Sequence, residues 1–244
     1  MTSRKPSGVA QVELSALPRR PRGCPEEVQR SRARFVATHR SVSELFATFN
    51  EQRAAQKNPQ GSISEKHRDL ARAAIVFTAA GVDACLRTLL RDALETLLRE
   101  EGSAHSAFKG YVFKRDGRFD GDLDKDVKDA IAAIDPRAEL IALYVEDLTK
   151  GSIQGSTQLG RCRKALGIDS GALTDEELEK HDDFFCVRNQ VAHELDLIDP
   201  SGKGSRGRQR RDVAVVGRQC DEALLLVHEF IKATARKVQA VHHS

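Results

Sequence analysis

The chain predicts an all-α fold, and three observations carry that expectation. Apolar residues recur at near-helical intervals over long stretches: Ile75, Ala79, Val82, Leu86, Leu89, Ala93 and Leu97; Leu178, Phe184, Phe185, Val187, Val191 and Leu195; Val216, Cys220, Ala223, Leu224, Val227, Ile231 and Val238. Residues that start helices stand ahead of these stretches. Runs that alternate apolar and polar residues, as a half-buried strand requires, are scarce, and no internal repeat is present. With 244 residues, 40% of them hydrophobic, the chain can bury a core of its own. A single helical domain over residues 25–244 is expected.

The elements follow in order. Residues 1–24 hold Pro6, Pro18 and Pro21 without periodicity and are expected to form a disordered basic arm. Pro25-Glu26-Glu27 puts proline and acids into a first helical turn. That helix should run to about Gln56, with a break near Ser41–Glu44. Asn58-Pro59-Gln60-Gly61 is a turn. Ser62-Ile63-Ser64-Glu65 then caps the longest helix, to about Glu101, with a kink at Gly81. Shorter helices are expected at about 122–134, 136–150 and 156–166, divided by Asp135-Pro136, Gly151 and Gly167. The span 103–172 is read as a variable or inserted helical region between the long helix and the next one. Thr174-Asp175-Glu176-Glu177 is a capping box that opens a helix to about Leu195. Pro200 and the glycines at 202 and 204 end it. A loop over 199–211 leads to a last helix from about 213 to 240.

Charge and cysteine usage narrow the classes. The net charge of +3 is spread unevenly: residues 1–40 carry nine Lys/Arg against three Glu, and residues 203–211 carry five cations without an acid. Such clusters attract phosphate backbones without reading sequence, so Lys203, Arg206, Arg208, Arg210 and Arg211 are candidate contacts to an RNA backbone. The five cysteines have no Cys-x-x-Cys pair and an odd count, which argues against a disulfide scaffold. No uninterrupted apolar run approaches 18 residues, and a cytoplasmic protein without a membrane segment is expected.

Chemistry concentrates at Arg188-Asn189-Gln190-Val191-Ala192-His193. A guanidinium can neutralise a phosphate in a fixed fork, and an imidazole can move protons near neutral pH. Spacing alone is uninformative. With 26 arginines and 8 histidines, about 2.6 Arg–His pairs separated by four to six residues are expected by chance, and the chain has six. Only in this one is Arg followed at once by Asn. On an unbroken helix Arg188 and His193 point about 140° apart, while Asn189 and His193 share a face. Either the helix loosens around Ala192, or two copies of the chain meet.

The string RNQVAH on a late helix, following a long apolar one, resembles the signature of the HEPN superfamily (higher eukaryote and prokaryote nucleotide-binding domains). The resemblance implies an all-α bundle with additional helices inserted before the motif helix. It also implies a metal-independent endoribonuclease of a toxin–antitoxin or antiviral defence system, working without cofactor on RNA; a homodimer is expected from the divergence of Arg188 and His193. An antitoxin or other regulatory partner protein would go with that role. Arg188, Asn189 and His193 are then the catalytic residues. Asp83, in the long helix, is a candidate orienting acid, against the plainer reading of an i,i+4 ion pair with Arg87. The alternative is a non-catalytic helical module of the same type that binds nucleotide, RNA or a partner protein.

Other chemistries lack their residues. His181-Asp182-Asp183 spreads over about 200° of helix and cannot grip one metal ion. His193-Glu194 lacks the second histidine of a metalloprotease motif, and neither a phosphate-binding glycine loop nor a nucleophile elbow is present.

Overall fold

A computed structural model describes residues 11–59, 61–115, 124–201 and 207–244. Nine helices form among them: α1 (Glu26–Ala54), α2 (Glu65–Leu97), α3 (Ser103–Arg115), α4 (Lys125–Ile131), α5 (Pro136–Thr149), α6 (Ser156–Ala165), α7 (Asp175–Glu179), α8 (Asp182–Glu194) and α9 (Val213–His243). No strand forms among the described residues; Leu197 and Arg208 make one isolated antiparallel bridge. The all-α class is therefore as the periodicity predicts.

The three long helices α1, α2 and α9 pack on one another, with α2 in the middle. Ile75, Leu86, Leu89 and Leu90 of α2, Phe35 and Val42 of α1, and Phe230 and Ile231 of α9 are fully buried. Each such side chain contributes about 1.5–3 kcal/mol by leaving water, so this trio dominates the stability. α2 is also the one described helix long and apolar enough to cross a bilayer, but most of that stretch is buried inside the fold, as in a core helix. Helices α3, α5 and α6 cover the C-terminal half of α2, and α8 lies against α2 and α9.

Several expected features change. Residues 11–24 are an extended strap, not a disordered arm. Asn50 grips Val12 through both main-chain groups, at 3.1 and 3.0 Å. Ser15 bonds Asp221 of α9 twice, and Arg32 donates to the Pro18 carbonyl. Val12 packs where Gly217 has no side chain; a Cβ there would stand 2.4 Å from Val12 Cγ1. Residues 1–10 lie outside the described residues.

Helix α1 is continuous through Ser41–Glu44. Val42 is buried, and the Ser43 hydroxyl returns to the His39 carbonyl at 2.8 Å instead of breaking the ladder. Helix α2 runs unbroken through Gly81, where the missing side chain lets α1 approach: a Cβ at this position would sit 2.1 Å from Thr38 Cγ2. Ser64 holds the N-cap position of α2, yet its hydroxyl pairs with His67 Nδ1 at 2.7 Å rather than with a main-chain amide. The span 103–172 holds four helices, α3 among them, for which no signal had been read.

The expected single helix over 175–195 is two. The capping box forms as predicted, with Glu177 N–H donating to Thr174 Oγ1 and Thr174 N–H to Glu177. Helix α7 then stops at Glu179, and α8 starts afresh at Asp182. The Asp182 carboxylate is spent on the start of α6, accepting from Ser156 N–H and Oγ at 2.7 Å each. One acid thus ties two helix starts together.

Candidate functional site

Helix α8 presents the motif. Phe184 and Phe185 anchor its first turn in the core, and Val187 and Val191 continue the inner face half-buried. The opposite face is exposed: Asp182, Asp183, Cys186, Asn189, Ala192 and His193 all meet solvent. Arg188 stands between the two faces. Its Nε–H is buried without a partner, while Nη1 donates to Asn189 Oδ1 at 2.9 Å. Nη2 makes no hydrogen bond among the described residues. Asn189 therefore fixes the guanidinium and leaves one of its outer donors open to a phosphate oxygen.

His193 lies in the last turn of α8, exposed, with neither ring nitrogen engaged among the described residues. Both nitrogens are available for proton transfer. The helix is regular through Glu194, so the loosening at Ala192 that would swing Arg188 and His193 together does not occur. One chain displays the two groups about 140° apart.

Asp83 does not serve these residues. Arg87 Nε donates to its Oδ2 and Ile153 N–H to its Oδ1, both at 2.7 Å. Arg87 also reaches the carbonyls of Thr149 and Gly151. The pair staples the α5–α6 connection onto α2: the i,i+4 ion pair takes one oxygen of Asp83 and the Ile153 amide the other.

The basic run divides. Lys203 and Arg206 lie outside the described residues. Arg210 is exposed and unpartnered among them. Arg208 and Arg211 are consumed internally, contrary to the expectation that the whole run faces RNA. Arg208 pairs with Asp69 at 2.6 Å, and Arg211 donates to Asp196 from Nε at 2.9 Å and Nη2 at 2.6 Å.

Asp196 is the residue that sequence reading missed. It is fully buried and clamped from two sides: Arg211 holds Oδ1, and Arg72 of α2 holds Oδ2 at 2.9 Å. Arg72 is itself buried and also pairs with Glu65 and Asp69; against the cost of burial, Asp196 first and then Asp69 and Glu65 hold its guanidinium above its ordinary pKa. Arg211 Nη2 also donates to Gln190 Oε1 at 2.6 Å, and Arg72 Nη2 to the Gln209 carbonyl at 3.0 Å. The main chain is strained here: Leu195 and Asp196 both take left-handed φ, 53° and 59°. The N–H groups of both converge on the Gln190 carbonyl. The only local hint was an acid set between Leu195 and Leu197.

Among the described residues no group of three or more His, Cys, Asp or Glu side chains is placed to hold a metal ion. All five cysteines are free thiols, and burial pushes Cys85 and Cys220 up to about 12, which leaves them unreactive. Comparisons of the chain with family models, with curated proteins and with solved structures returned no match.

Proposed function

We propose that the chain is an endoribonuclease of HEPN type, cleaving RNA by transesterification without a metal, in a toxin or defence role with a regulatory protein partner. The observation that carries this reading is the state of the motif on α8. Asn189 orients Arg188 and leaves Nη2 open, and His193 stands exposed with a free imidazole on the same face as Asn189. These are the parts the reaction requires. His193 takes the proton of a ribose 2′-hydroxyl. The 2′-oxygen attacks the adjacent phosphorus, the P–O5′ bond breaks, and the departing oxygen takes the proton back from the imidazolium that His193 has become. The products are a 2′,3′-cyclic phosphate and a 5′-hydroxyl. Arg188 stabilises the charge that grows on the phosphorane oxygens, a contribution of several kcal/mol in a preorganised site. DNA lacks the nucleophile.

One observation favours the second reading, a non-catalytic module that binds RNA, nucleotide or a partner protein: α8 stays regular, so a single chain does not converge Arg188 and His193. The ribonuclease reading therefore includes a homodimer in which Arg188 of one chain faces His193 of the other.

Purified protein incubated with single-stranded RNA in EDTA tests the proposal. Cleavage with cyclic phosphate ends is expected, and His193→Ala and Arg188→Ala should each reduce it by orders of magnitude with the helical circular dichroism unchanged. RNA bound but left intact by the wild type would favour the second reading. Cleavage that requires a divalent ion would overturn the mechanism.

A further inference from the structure

The clamp around Asp196 grips α8 on both sides of His193. Three residues before the histidine, Gln190 is held twice: its side chain by Arg211, and its carbonyl by the N–H groups of Leu195 and Asp196. Three residues after it, the Asp196 carboxylate is locked between Arg72 and Arg211, and the Asp196 carbonyl accepts from Gln209 N–H at 2.8 Å. Successive left-handed residues that are not glycine persist only where their surroundings dictate them. A buried carboxylate with three guanidinium N–H donors dictates them here. The surface turn that carries His193 is therefore among the firmly fixed parts of α8, although the His193 ring itself makes no hydrogen bond among the described residues.

We infer that Asp196 is a positioning residue: with Arg72, Arg211 and Gln190 it holds the end of α8 so that the imidazole of His193 stands in one place. The inference rests on the ribonuclease reading for its kinetic consequence, but not for its structural one. A base has to meet a 2′-hydroxyl within hydrogen-bond reach, and a displacement near 1 Å can cost about 100-fold in rate. The same clamp ties the histidine to the start of α9 and, through the Leu197–Arg208 bridge, to both ends of the basic loop.

The test compares the wild type with Asp196→Asn, Arg211→Gln and Arg211→Lys. Asp196→Asn keeps the shape and removes the charge. Arg211→Gln releases Gln190 and one oxygen of Asp196 while Arg72 stays in place, which keeps the test alive if Asp196→Asn does not fold. Rates on a single-stranded oligoribonucleotide are measured across pH, with folding followed by circular dichroism. The expected result is a fall in kcat of about 10- to 100-fold at nearly unchanged KM, partly restored in Arg211→Lys. A raised KM at unchanged kcat would assign the clamp to the basic loop instead. Loss of activity only in proportion to unfolded protein would make it a plain stability element. Histidine resonances read the same question without catalysis. The ring signal of His193 should be single and sharp in the wild type and broadened or multiplied in Arg211→Gln. An unchanged signal would overturn the inference, whereas an inert wild type with the expected spectra would overturn only the ribonuclease reading.

Discussion

Chain complementation decides whether the site is shared between two copies. Arg188 and His193 are five positions apart on a regular helix, which places them about 140° apart around α8 and about 7.5 Å along it. If Arg188 of one chain serves His193 of the other, a symmetric dimer has two such sites. His193→Ala chains retain Arg188, and Arg188→Ala chains retain His193, so each mixed dimer rebuilds one site of two. Random pairing at equal amounts makes half the dimers mixed, and the expected activity is about a quarter of the wild type. The two variants, carrying different affinity tags, are co-expressed and the doubly tagged species is isolated. Its cleavage of single-stranded RNA is then compared with either variant alone. In that isolated species the expectation rises to about half. Activity no higher than that of the single variants would refute the shared site, and a fully active monomeric wild type would refute it independently.

The remaining predictions concern packing, charge and pH. Gly81→Ala places a Cβ 2.1 Å from Thr38 Cγ2 and 2.7 Å from Thr38 Cβ, so it should destabilise by about 1–3 kcal/mol and lower the melting temperature by roughly 2–4 °C per kcal/mol. Adding Thr38→Ala should restore only part of the loss, because the Thr38 Cβ clash survives. Arg210→Gln should weaken RNA binding and reduce its salt slope by about one, whereas Arg208→Gln, which opens a half-exposed pair with Asp69, should change stability by no more than about 1 kcal/mol. Equal effects of the two on the salt slope would contradict the division of the basic run. Burial lowers the pKa of His181 and His228 below the ordinary 6.5, and at His228 Arg32 and Lys232 add to it against Glu229. In the window below 6.5 the unfolded chain binds more protons than the folded one at both positions, so stability falls as pH falls through it. Melting temperatures at pH 7.5 and 5.5 should differ less in His228→Gln; an identical difference would remove His228 as a contributor.

Local signals were legible and distant ones were not. The apolar rhythm of α2 and α9, the capping box at Thr174, and the stops at Asp135-Pro136 and Gly167 all act within a few residues of where they are written. The strap at 11–24 could not be read, because extended main chain has no period and its partners, Asn50 and Asp221, lie far along the chain. Helix α3 buries only Ala104 and Phe108, too little to leave a stripe. At the division of α7 from α8, the side chain of Asp182, the first residue of α8, is engaged by the start of α6, 26 positions away, which no local pattern announces. At the site, the identity of Arg188, Asn189 and His193 was written in six residues, but their divergence depended on whether α8 stayed regular. Composition counted the cations at 203–211 without telling which of them an interior carboxylate would take. Asp196 meets Arg72 across 124 positions, and no local pattern announces such a pair.

The strap has a consequence for the order in which the molecule is completed. During synthesis residues 11–24 emerge before every described helix, and α9 emerges after all the others. Yet half of the strap's seat is built from α9: Gly217 receives Val12, Asp221 receives Ser15, and Gln239 donates to the carbonyls of Arg22 and Gly23. At about 5–20 residues per second, the earliest segment waits ten seconds or more, on the order of the chain length divided by that rate, for the surface it will lie on. Arg211, which completes the clamp beneath His193, arrives in the same interval. A growing chain therefore carries the motif without the support that fixes it, and both closures are made together at the end.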